Sequence, residues 1–411
     1  MKREKVFRKI QEISVNIANT SINSVRRKNI EKTSIRIFDE GQIGVAGKIG
    51  SVNEDKLEKK AITALKYGLK YPYDLSKDKK EEWLNQDKIL STKEFLELSE
   101  ALLAYLREKQ NKFNFSNKIF LTGVERKMNN SEGLNLKFID NFVNLQFAFK
   151  EKSSSNIIDG GFGYAGREFD LEKVKRYADK ICNAYLNKVE LPTEKKMPIV
   201  FLESDRLLFK KFKNELHGMN FGTGGSIFSK NKNEKLFNDD FTLYQNDNPQ
   251  DTFSPFFDAE GTVNDNYIYE LISAGKLITP YTDKKNSVMF DLKLTGSAGA
   301  SYDSIPMITQ PNLAVRKSEK TLKELLNGRK AIFVMIASGG DFTSEGDFGT
   351  PVQLSYLIEN GKIIGRLPQL QISSNLYKIF GEDYIGVSKD KFFESGVNHY
   401  IATEMNVKKM D

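Results

Sequence analysis

The sequence of 411 residues has a single cysteine, Cys182, and only two histidines, His217 and His399. One cysteine excludes an intramolecular disulfide and favours a reducing, cytoplasmic setting. The longest apolar run is the seven residues 331–337, which is too short to cross a bilayer and is typical of a buried strand. The basic N-terminus has no apolar segment of the kind found in secretion signals, and we interpret it as an amphipathic helix. We therefore expect a cytoplasmic protein without a membrane segment.

The excess of positive charge is small for the length of the chain. Lysine and arginine number 62 against 55 acidic residues, a formal net charge of +7. The lysines alternate with acids, as in "DKKEEWLNQDK" and "EKTLKELLNGRK", which is typical of a solvated surface of mixed charge. No segment combines aromatic and basic residues as single-strand binders do. We do not expect a nucleic-acid partner.

Proline is scarce in the first half of the chain. Nine of the 10 prolines lie at or after Pro192, and the polar segment 191–198 is bracketed by prolines, which favours a domain boundary there. The chain is also too long for one ordinary core. We predict an α+β fold, with a mixed helix and sheet N-terminal domain at residues 1–191. A larger, β-rich and hairpin-containing C-terminal domain follows at residues 192–411. We also predict a sub-boundary near residue 115.

Three hairpins are predicted where turn residues separate apolar, alternating segments. The turn signals are Asp39-Glu40-Gly41, Ala274-Gly275 and Asn360-Gly361. Glycine and asparagine tolerate the left-handed backbone that a tight turn requires.

Three helices are predicted from their caps. A capping box begins at Ser91, Asp170 caps a second helix, and Ser318 caps a third helix that Gly328 closes. Cys182 borders the apolar stripe of the second helix, so we expect it to pack in the core and not to be a reactive thiol.

Three glycines, Gly161, Gly163 and Gly166, have the spacing of a dinucleotide-binding fingerprint. That fingerprint requires a buried strand before it and a helix that starts at its last glycine. Here the preceding residues are polar, and the next helix is predicted to start only after Asp170. A glycine-rich strand or turn is favoured, and we predict no dinucleotide cofactor.

Asp341, Glu345 and Asp347 lie between glycines after the apolar run 331–337. Three carboxylates on a loop could bind a divalent cation or act as general acid and base. Their spacing matches no calcium loop, and acidic residues are common at turns. A structural turn is therefore favoured over a catalytic or metal site.

The segment "FKNELHGMNFGTGGSIF" has the outline of a zinc peptidase site. It places Glu215 and His217 on a predicted helix that runs into a glycine turn. The glycines are Gly218, Gly222, Gly224 and Gly225. A helical zinc peptidase needs two histidines one turn apart, a glutamate beside the first, and a third ligand. Because the other histidine, His399, is far away in sequence, the spacing predicts no metal site, and we expect both histidines to be at the surface or hydrogen-bonded.

Six segments together resemble the TldD/TldE (PmbA) family, proteins once described as modulators of DNA gyrase and now grouped with metallopeptidases. In chain order they are "KTSIRIFDEGQIGVAG", "NELHGMNFGTGGSIFSKN", "FDAEGT", "PMITQPNLAV", "GDFTSEGDFGTPVQLSYLIENGKIIGRLP" and "FFESGVNHYIATEMNV". The resemblance covers nearly the whole chain, and its C-terminal part is the most specific. It implies an extensive dimer interface and the cleavage of unfolded or ribosomally made peptides, bound in a cleft as an added strand.

The chain departs from the TldD type at every zinc ligand. That type carries His-Glu-x-x-x-His on the helix that enters the glycine turn, with a cysteine near the C-terminus as the third ligand. With His217 in the place of the first histidine, Gly218 takes the glutamate position and Gly222 that of the second histidine. No cysteine follows Cys182. The closing segment offers Ser388 and Ser395 instead. The resemblance is therefore closer to the TldE (PmbA) type, which lacks metal ligands, and implies zinc only in a catalytic partner.

Three functions remain open from the sequence. The favoured one is a non-catalytic TldE/PmbA-like subunit that pairs with a TldD-like peptidase. The second is a stand-alone hydrolase with a rearranged site built from Asp341, Glu345 and Asp347, together with His217. The third is a homodimeric peptide-binding protein.

Overall fold

The N-terminal half is built on one large sheet. The computed structural model describes residues 1–86, 89–203, 206–392 and 398–410. The strands of this half are β1 (Lys2–Ala18), β2 (Ser21–Asp39), β3 (Gln42–Ile49), β4 (Lys80–Leu84), β5 (Phe113–Asn130), β6 (Asn135–Glu151) and β7 (Gly160–Gly166). Its helices are α1 (Glu54–Ala64), α2 (Thr92–Lys109) and α3 (Leu171–Leu186). The strand order is β3-β2-β1-β5-β6-β4, and β7 also pairs with β6. Among the described strands of this sheet, only β4 and β6 pair in parallel.

The N-terminal segment is a strand, so the predicted amphipathic helix is wrong. β1 pairs over its whole length with β2 on one side and over most of it with β5 on the other. Its apolar residues fit both periods: Val6, Ile10, Ile13 and Ile17 suit a helix, whereas Ile13, Val15 and Ile17 alternate as in a strand. The two long neighbouring strands decide between these periods, because they satisfy the backbone of β1 and bury Val6, Val15 and Ile17.

Strand β2 extends well beyond its outer neighbour. β3 pairs only with residues 32–39 of β2. The preceding residues of β2 pair with β1 on one side, and their other side is an open edge of the sheet as far as the described residues show. Three consecutive cations, Arg26, Arg27 and Lys28, lie exposed on this edge.

The C-terminal half is mainly β-structure with short helices. Its strands are β8 (Lys196–Leu202), β9 (Leu243–Asn246), β10 (Ile268–Ser273), β11 (Lys276–Leu277), β12 (Ala298–Gly299), β13 (Met307–Ile308), β14 (Leu313–Val315), β15 (Ala331–Ala337), β16 (Asp341–Phe342), β17 (Asp347–Glu359), β18 (Lys362–Arg366), β19 (Leu370–Asn375), β20 (Tyr384–Lys391) and β21 (His399–Lys409). Its helices are α4 (Arg206–Glu215), α5 (Gly218–Gly222), α6 (Lys284–Phe290), α7 (Leu322–Leu326) and α8 (Leu376–Ile379). The α+β prediction is confirmed.

Most strands of this half belong to two sheets. An eight-stranded sheet has the order β15-β8-β21-β19-β17-β16, with β18 on β17 and β20 on β21. Because β17 also pairs with β15, the path β15-β8-β21-β19-β17 closes into a ring. A four-stranded sheet has the order β11-β10-β9-β14, which leaves β14 at its edge.

A continuous hydrophobic core joins the two halves. Its buried residues include Val15 and Leu102 from the N-terminal half and Val200, Phe333 and Tyr356 from the C-terminal half. The predicted division at residue 191 lies between α3 and β8, and the predicted sub-boundary at residue 115 falls within β5.

A buried ion pair also connects the halves. The Arg36 guanidinium donates to the Glu4 carboxylate at 2.8 Å and to the Ala259 carbonyl at 2.6 Å. Both charged side chains are only 1% exposed. Arg36 therefore holds a loop of the C-terminal half against the N-terminal sheet.

The three predicted hairpins and two of the predicted helix caps are confirmed. Each hairpin turn has a left-handed backbone at its glycine, with φ of 74° at Gly41, 74° at Gly275 and 73° at Gly361. Ser91 forms the capping box of α2, and Asp170 caps α3.

The cap predicted at Ser318 is wrong. Helix α7 starts later, at Leu322, because Thr321 and Glu324 form a capping box with each other. The Ser318 hydroxyl instead donates to the Val387 carbonyl at 2.8 Å. The segment 160–166 is strand β7, as the polar residues before its glycines indicated. Within the described part of the chain, no helix is both long and apolar enough to span a membrane.

Candidate functional site: a glycine turn and an adjoining cleft

The glycine turn is entered by two helices and not by one. Helix α4 ends at Glu215, and His217 has an extended backbone, with φ −69° and ψ 121°. The break arises because the chain pairs here with a distant segment: the Gly218 N–H donates to the Tyr281 carbonyl at 3.0 Å. The prediction that Glu215 and His217 lie on one helix is therefore wrong for His217.

His217 is the N-cap of α5. Its Nδ1 accepts the backbone N–H of Met219 at 3.3 Å, and its ring lies edge-on to Tyr281 with the ring centroids 5.4 Å apart. Burial lowers the pKa of the imidazole. The ring is therefore mainly neutral at pH 7, as a capping acceptor must be. This satisfies the expectation of a hydrogen-bonded histidine.

Glu215 uses both of its carboxylate oxygens within the protein. Oε1 lies 2.9 Å from the Lys211 ammonium, and Oε2 accepts the backbone N–H of Ile227 at 2.9 Å. The residue is 7% exposed. Glu215 thus ties the end of α4 to the chain that leaves the glycine turn.

Gly218 and Gly222 have no room for a side chain. A Cβ at Gly218 would lie 2.9 Å from the Tyr281 carbonyl oxygen, and one at Gly222 would lie 2.2 Å from Cγ of Phe290. Both distances are shorter than carbon atoms tolerate without movement of the neighbour. The positions that a metallopeptidase motif would give to glutamate and histidine are filled here by another part of the fold.

The remaining two glycines form the turn itself. Gly224 has a left-handed backbone, with φ of 80°, which favours glycine. The Gly225 N–H donates to the Asn220 carbonyl at 2.9 Å, and a Cβ there would lie 2.5 Å from the Asn220 amide oxygen.

The residues of this turn do not fit a zinc ion. Nδ1 of His217 already accepts a backbone N–H, and both oxygens of Glu215 have partners. The two glycines that follow cannot be replaced by ligands without displacing Tyr281 or Phe290. A zinc site needs three or four donors directed at one point. We derive no chemistry through zinc at this position.

The three carboxylates of the hairpin between β16 and β17 have separate partners. Asp341 pairs with Lys210 of α4, Glu345 accepts the Ser344 hydroxyl at 2.8 Å, and Asp347 accepts the Asn375 amide at 2.9 Å. Hydrogen bonds lower the pKa of the Asp341 carboxyl, chiefly the one from Lys210. The bond from Ser344 has the same effect on the pKa of Glu345. Both are then ionised at neutral pH, whereas a general acid needs a raised pKa.

These carboxylates lie at a turn, which is the structure that the sequence favoured. β16 pairs with the start of β17, so the intervening residues form a hairpin turn. Across the described ranges, no three residues among His, Cys, Asp and Glu lie close enough to bind a metal ion together.

The closing segment places Ser388 and His399 beside each other. Ser388 is buried, and its hydroxyl donates to the Asp390 carbonyl at 2.7 Å. Nδ1 of His399 lies 3.0 Å from the Ser388 carbonyl, so His399 is hydrogen-bonded, as expected. Burial lowers the pKa of His399 to about 4, and the ring is neutral at pH 7. Ser395 lies outside the described residues.

A cleft of about 380 Å³ opens next to His399, which we call the Glu203 cleft. Its volume is within the range of roughly 300–1,000 Å³ of small-ligand sites. Polar and charged side chains line it together with part of strand β14. The lining residues that matter here are Glu203, Asn246, Leu313, Lys317, Lys391 and His399.

Glu203 lies where these strands meet. Its backbone N–H donates to the His399 carbonyl at 2.9 Å, and its Oε1 accepts the Val315 N–H at 2.8 Å. Burial raises the pKa of Glu203 to about 7, although the hydrogen bond from Val315 and the nearby Lys317 and Lys391 oppose that rise. The carboxyl is thus partly protonated at neutral pH.

Sequence reasoning did not predict this cleft. Its residues come from β9 and β14 and from the ends of β8, β20 and β21, most of which are far apart in the chain, and no local motif connects them. The only signal lay in the resemblance: "PMITQPNLAV" contains Leu313, and "FFESGVNHYIATEMNV" contains His399.

Comparison with known proteins supports the resemblance across the chain. The model of the PmbA/TldA metallopeptidase C-terminal domain matches residues 194–411. An uncharacterized protein of Methanocaldococcus jannaschii is 23% identical over 397 residues, which cover 92% of this chain and 90% of that protein. A zinc metalloprotease TldD homolog of Saccharolobus solfataricus is 29% identical over 152 residues, 36% of this chain and 33% of that protein.

The fold is also similar to that of a solved relative. The crystal structure of TldE from Thermococcus kodakarensis superposes with a TM-score of 0.80 at 17% identity, over 100% of this chain and 97% of that one. The match to the PmbA/TldA domain covers more than half of the chain, which is enough to assign the family. This chain belongs to the PmbA/TldD (TldD/TldE) family of metallopeptidase-related proteins.

Proposed function

We propose that this chain is the non-catalytic, TldE/PmbA-like subunit of a TldD/TldE-type metallopeptidase complex that acts on unfolded or ribosomally made peptides. The partner is a TldD-like chain in the cytoplasm that carries the zinc ligands. This chain contributes walls and strand edges to the peptide-binding chamber.

The observation that carries the proposal is the packing at Gly218 and Gly222. A chain that had only lost its ligands could keep the space for them. Here the Tyr281 carbonyl and the Phe290 ring occupy that space, and His217 and Glu215 serve the structure of the turn. The turn is therefore built as a structural element, which supports a subunit that leaves the metal chemistry to its partner.

The first experiment is the isolation of the tagged chain from its native cell, with mass spectrometry of any stoichiometric partner. We expect a paralogue that carries His-Glu-x-x-x-His. The pair should hydrolyse an unfolded peptide in a chelator-sensitive way, and this chain alone should not. If the chain remains a monomer when co-expressed with a TldD-like protein, the proposal is wrong.

One variant separates the subunit from a stand-alone hydrolase. Asp341→Asn removes the carboxylate that a rearranged site would need, and we expect the activity of the pair to be unchanged. Metal-dependent hydrolysis by the purified chain alone, abolished by Asp341→Asn, would favour the hydrolase. Recovery of the chain as a homodimer that binds peptide without turnover would favour the peptide-binding protein.

A further inference from the structure

Strand β14 presents unused backbone groups to the Glu203 cleft. In its pairing with β9, Ala314 is opposite Tyr244. The Asn246 N–H donates to the Asn312 carbonyl at 2.8 Å, and the Arg316 N–H donates to the Thr242 carbonyl at 2.9 Å. Hydrogen-bonded pairs alternate along an antiparallel ladder, so Ala314 directs its amide groups at β9, whereas Leu313 and Val315 direct theirs away from it.

The hydrogen bond from Val315 to Glu203 confirms that the amide groups of Val315 face away from β9, and it leaves the backbone groups of Leu313 without a partner among the described residues. Val315 donates its outward N–H to Glu203, which is within the cleft. Leu313 also lines the cleft, and no hydrogen bond to another described residue engages its N–H or carbonyl. An edge residue with both groups open can pair with an added extended chain.

Two lysines give the same cleft a positive side. Lys317 and Lys391 line it, and both are close enough to influence the titration of Glu203 and of His399. Neither ammonium forms an ion pair with another described residue. Asp251 also lines the cleft, and burial keeps the Glu203 carboxyl partly protonated near pH 7, so these two acids offset the two lysines incompletely. A carboxylate is the ligand group that two such ammonium groups would attract.

We propose that the Glu203 cleft binds an extended peptide that carries a carboxylate. The main chain of the peptide pairs with Leu313 of β14, and its carboxylate lies between Lys317 and Lys391. This deepens the proposed function and rests on it for the identity of the ligand as a peptide. The carboxylate is the C-terminus of the peptide or an acidic side chain.

The test measures binding of three fluorescein-labelled, alanine-rich hexapeptides to the full-length chain by fluorescence polarisation. One peptide has a free C-terminus, one is amidated, and one is amidated with a single internal aspartate. We expect either peptide with a carboxylate to bind about tenfold more tightly than the amide, the scale of two solvent-accessible charge-assisted contacts. Which of the two binds more tightly identifies the source of the carboxylate.

Two kinds of variant test the two halves of the site. The double variant Lys317→Gln/Lys391→Gln should bring the affinity for the carboxylate peptides down to that for the amide. Leu313→Pro removes the outward N–H at an edge position that tolerates proline. It should weaken the binding of all three peptides and keep the ratio between them.

Arg316→Gln is the matched control. It removes one positive charge next to Lys317, but its guanidinium pairs with Glu270 and does not line the cleft. Its affinities should equal those of the unaltered chain. If the unaltered chain binds none of the three peptides, or if it binds the carboxylate peptides and the amidated peptide equally well, the inference is wrong. It is also wrong if Arg316→Gln weakens binding as much as the double variant does.

Partner capture is measured separately on the same variants. Because the lysines lie in the cleft and not at the glycine turn, we expect the double variant to retain a TldD-like partner. If the unaltered chain captures a TldD-like partner but binds none of the peptides, this inference is wrong and the proposed function stands. If it binds the peptides but captures no partner, the proposed function is wrong and the inference about the Glu203 cleft stands.

Discussion

Replacement of Gly222 by alanine tests whether the glycine turn is closed by packing. The added Cβ would lie 2.2 Å from Cγ of Phe290 and 2.4 Å from its Cδ2. Rotation of the ring about χ2 leaves Cγ in place, so only a change in χ1 or a backbone shift relieves the clash. Such overpacking costs about 1–3 kcal/mol, against which alanine gains up to about 1 kcal/mol in helix propensity. We expect Gly222→Ala to lower the free energy of unfolding by about 1–2 kcal/mol.

The assay is urea unfolding followed by circular dichroism, in a double-mutant cycle with Phe290→Ala. Removal of the ring removes the clash, so Gly222→Ala should be neutral or stabilising in the Phe290→Ala background. The coupling energy should be at least about 1 kcal/mol. If Gly222→Ala is as stable as the unaltered chain, or if the two substitutions are additive, Phe290 does not fill the ligand position. Gly222→His should likewise lose stability and gain no zinc, which metal analysis of the purified variant checks.

Three further predictions concern buried groups. Glu4→Gln leaves the buried Arg36 guanidinium without its counter-charge, and urea unfolding should show a loss of about 3–5 kcal/mol. Cys182 is fully buried, and burial raises the pKa of its thiol, so a thiol reagent should modify it only after unfolding. His399 has its pKa lowered to about 4, so at this residue the folded state binds fewer protons than the unfolded state between about pH 4 and 6.5. The contribution of His399 to stability should therefore fall as the pH drops from about 6.5 to 4, by up to about 1.4 kcal/mol per pH unit. It is measured as the difference between the pH profiles of the unaltered chain and His399→Asn, because the raised pKa of Glu203 has the opposite effect in both chains.

Each of these predictions has a control. Glu31→Gln breaks the accessible pair with Lys9 and should cost less than about 1 kcal/mol; an equal cost for Glu4→Gln would contradict the burial argument. Modification of Cys182 in the native chain at the rate of an accessible thiol would show that the core opens there. Parallel pH profiles for the unaltered chain and His399→Asn would show that another group titrates.

The features that the sequence predicted well are those that short-range chemistry decides. The turn at Asn360-Gly361 needs two consecutive residues with positive φ, and the chain has φ of 50° and 73° there. The capping box of Ser91 and Glu94 likewise depends on four consecutive residues. Such signals do not depend on the rest of the fold.

The features that were missed depend on distant partners. β1 is a strand because β2 and β5 lie beside it, and its own apolar spacing also fits a helix. The break between Glu215 and His217 requires the hydrogen bond from Gly218 to Tyr281, which is far along the chain. Strands as short as β14 have too few residues to show a period, so the open edge at Leu313 had no signal in the sequence.

The open edge of β2 bears on how copies of this chain meet at high concentration. An unpaired edge is a template on which another chain can add a strand, and such addition begins aggregation. Antiparallel pairing of two copies about Arg27 would bring Arg27 against Arg27 and Arg26 against Lys28. That cationic run makes the edge repel its own copy, while an acidic strand from a different protein would meet no such barrier. Arg26, Arg27 and Lys28 therefore oppose self-association at this edge. Replacing them with neutral residues should make the purified chain precipitate more readily in low salt.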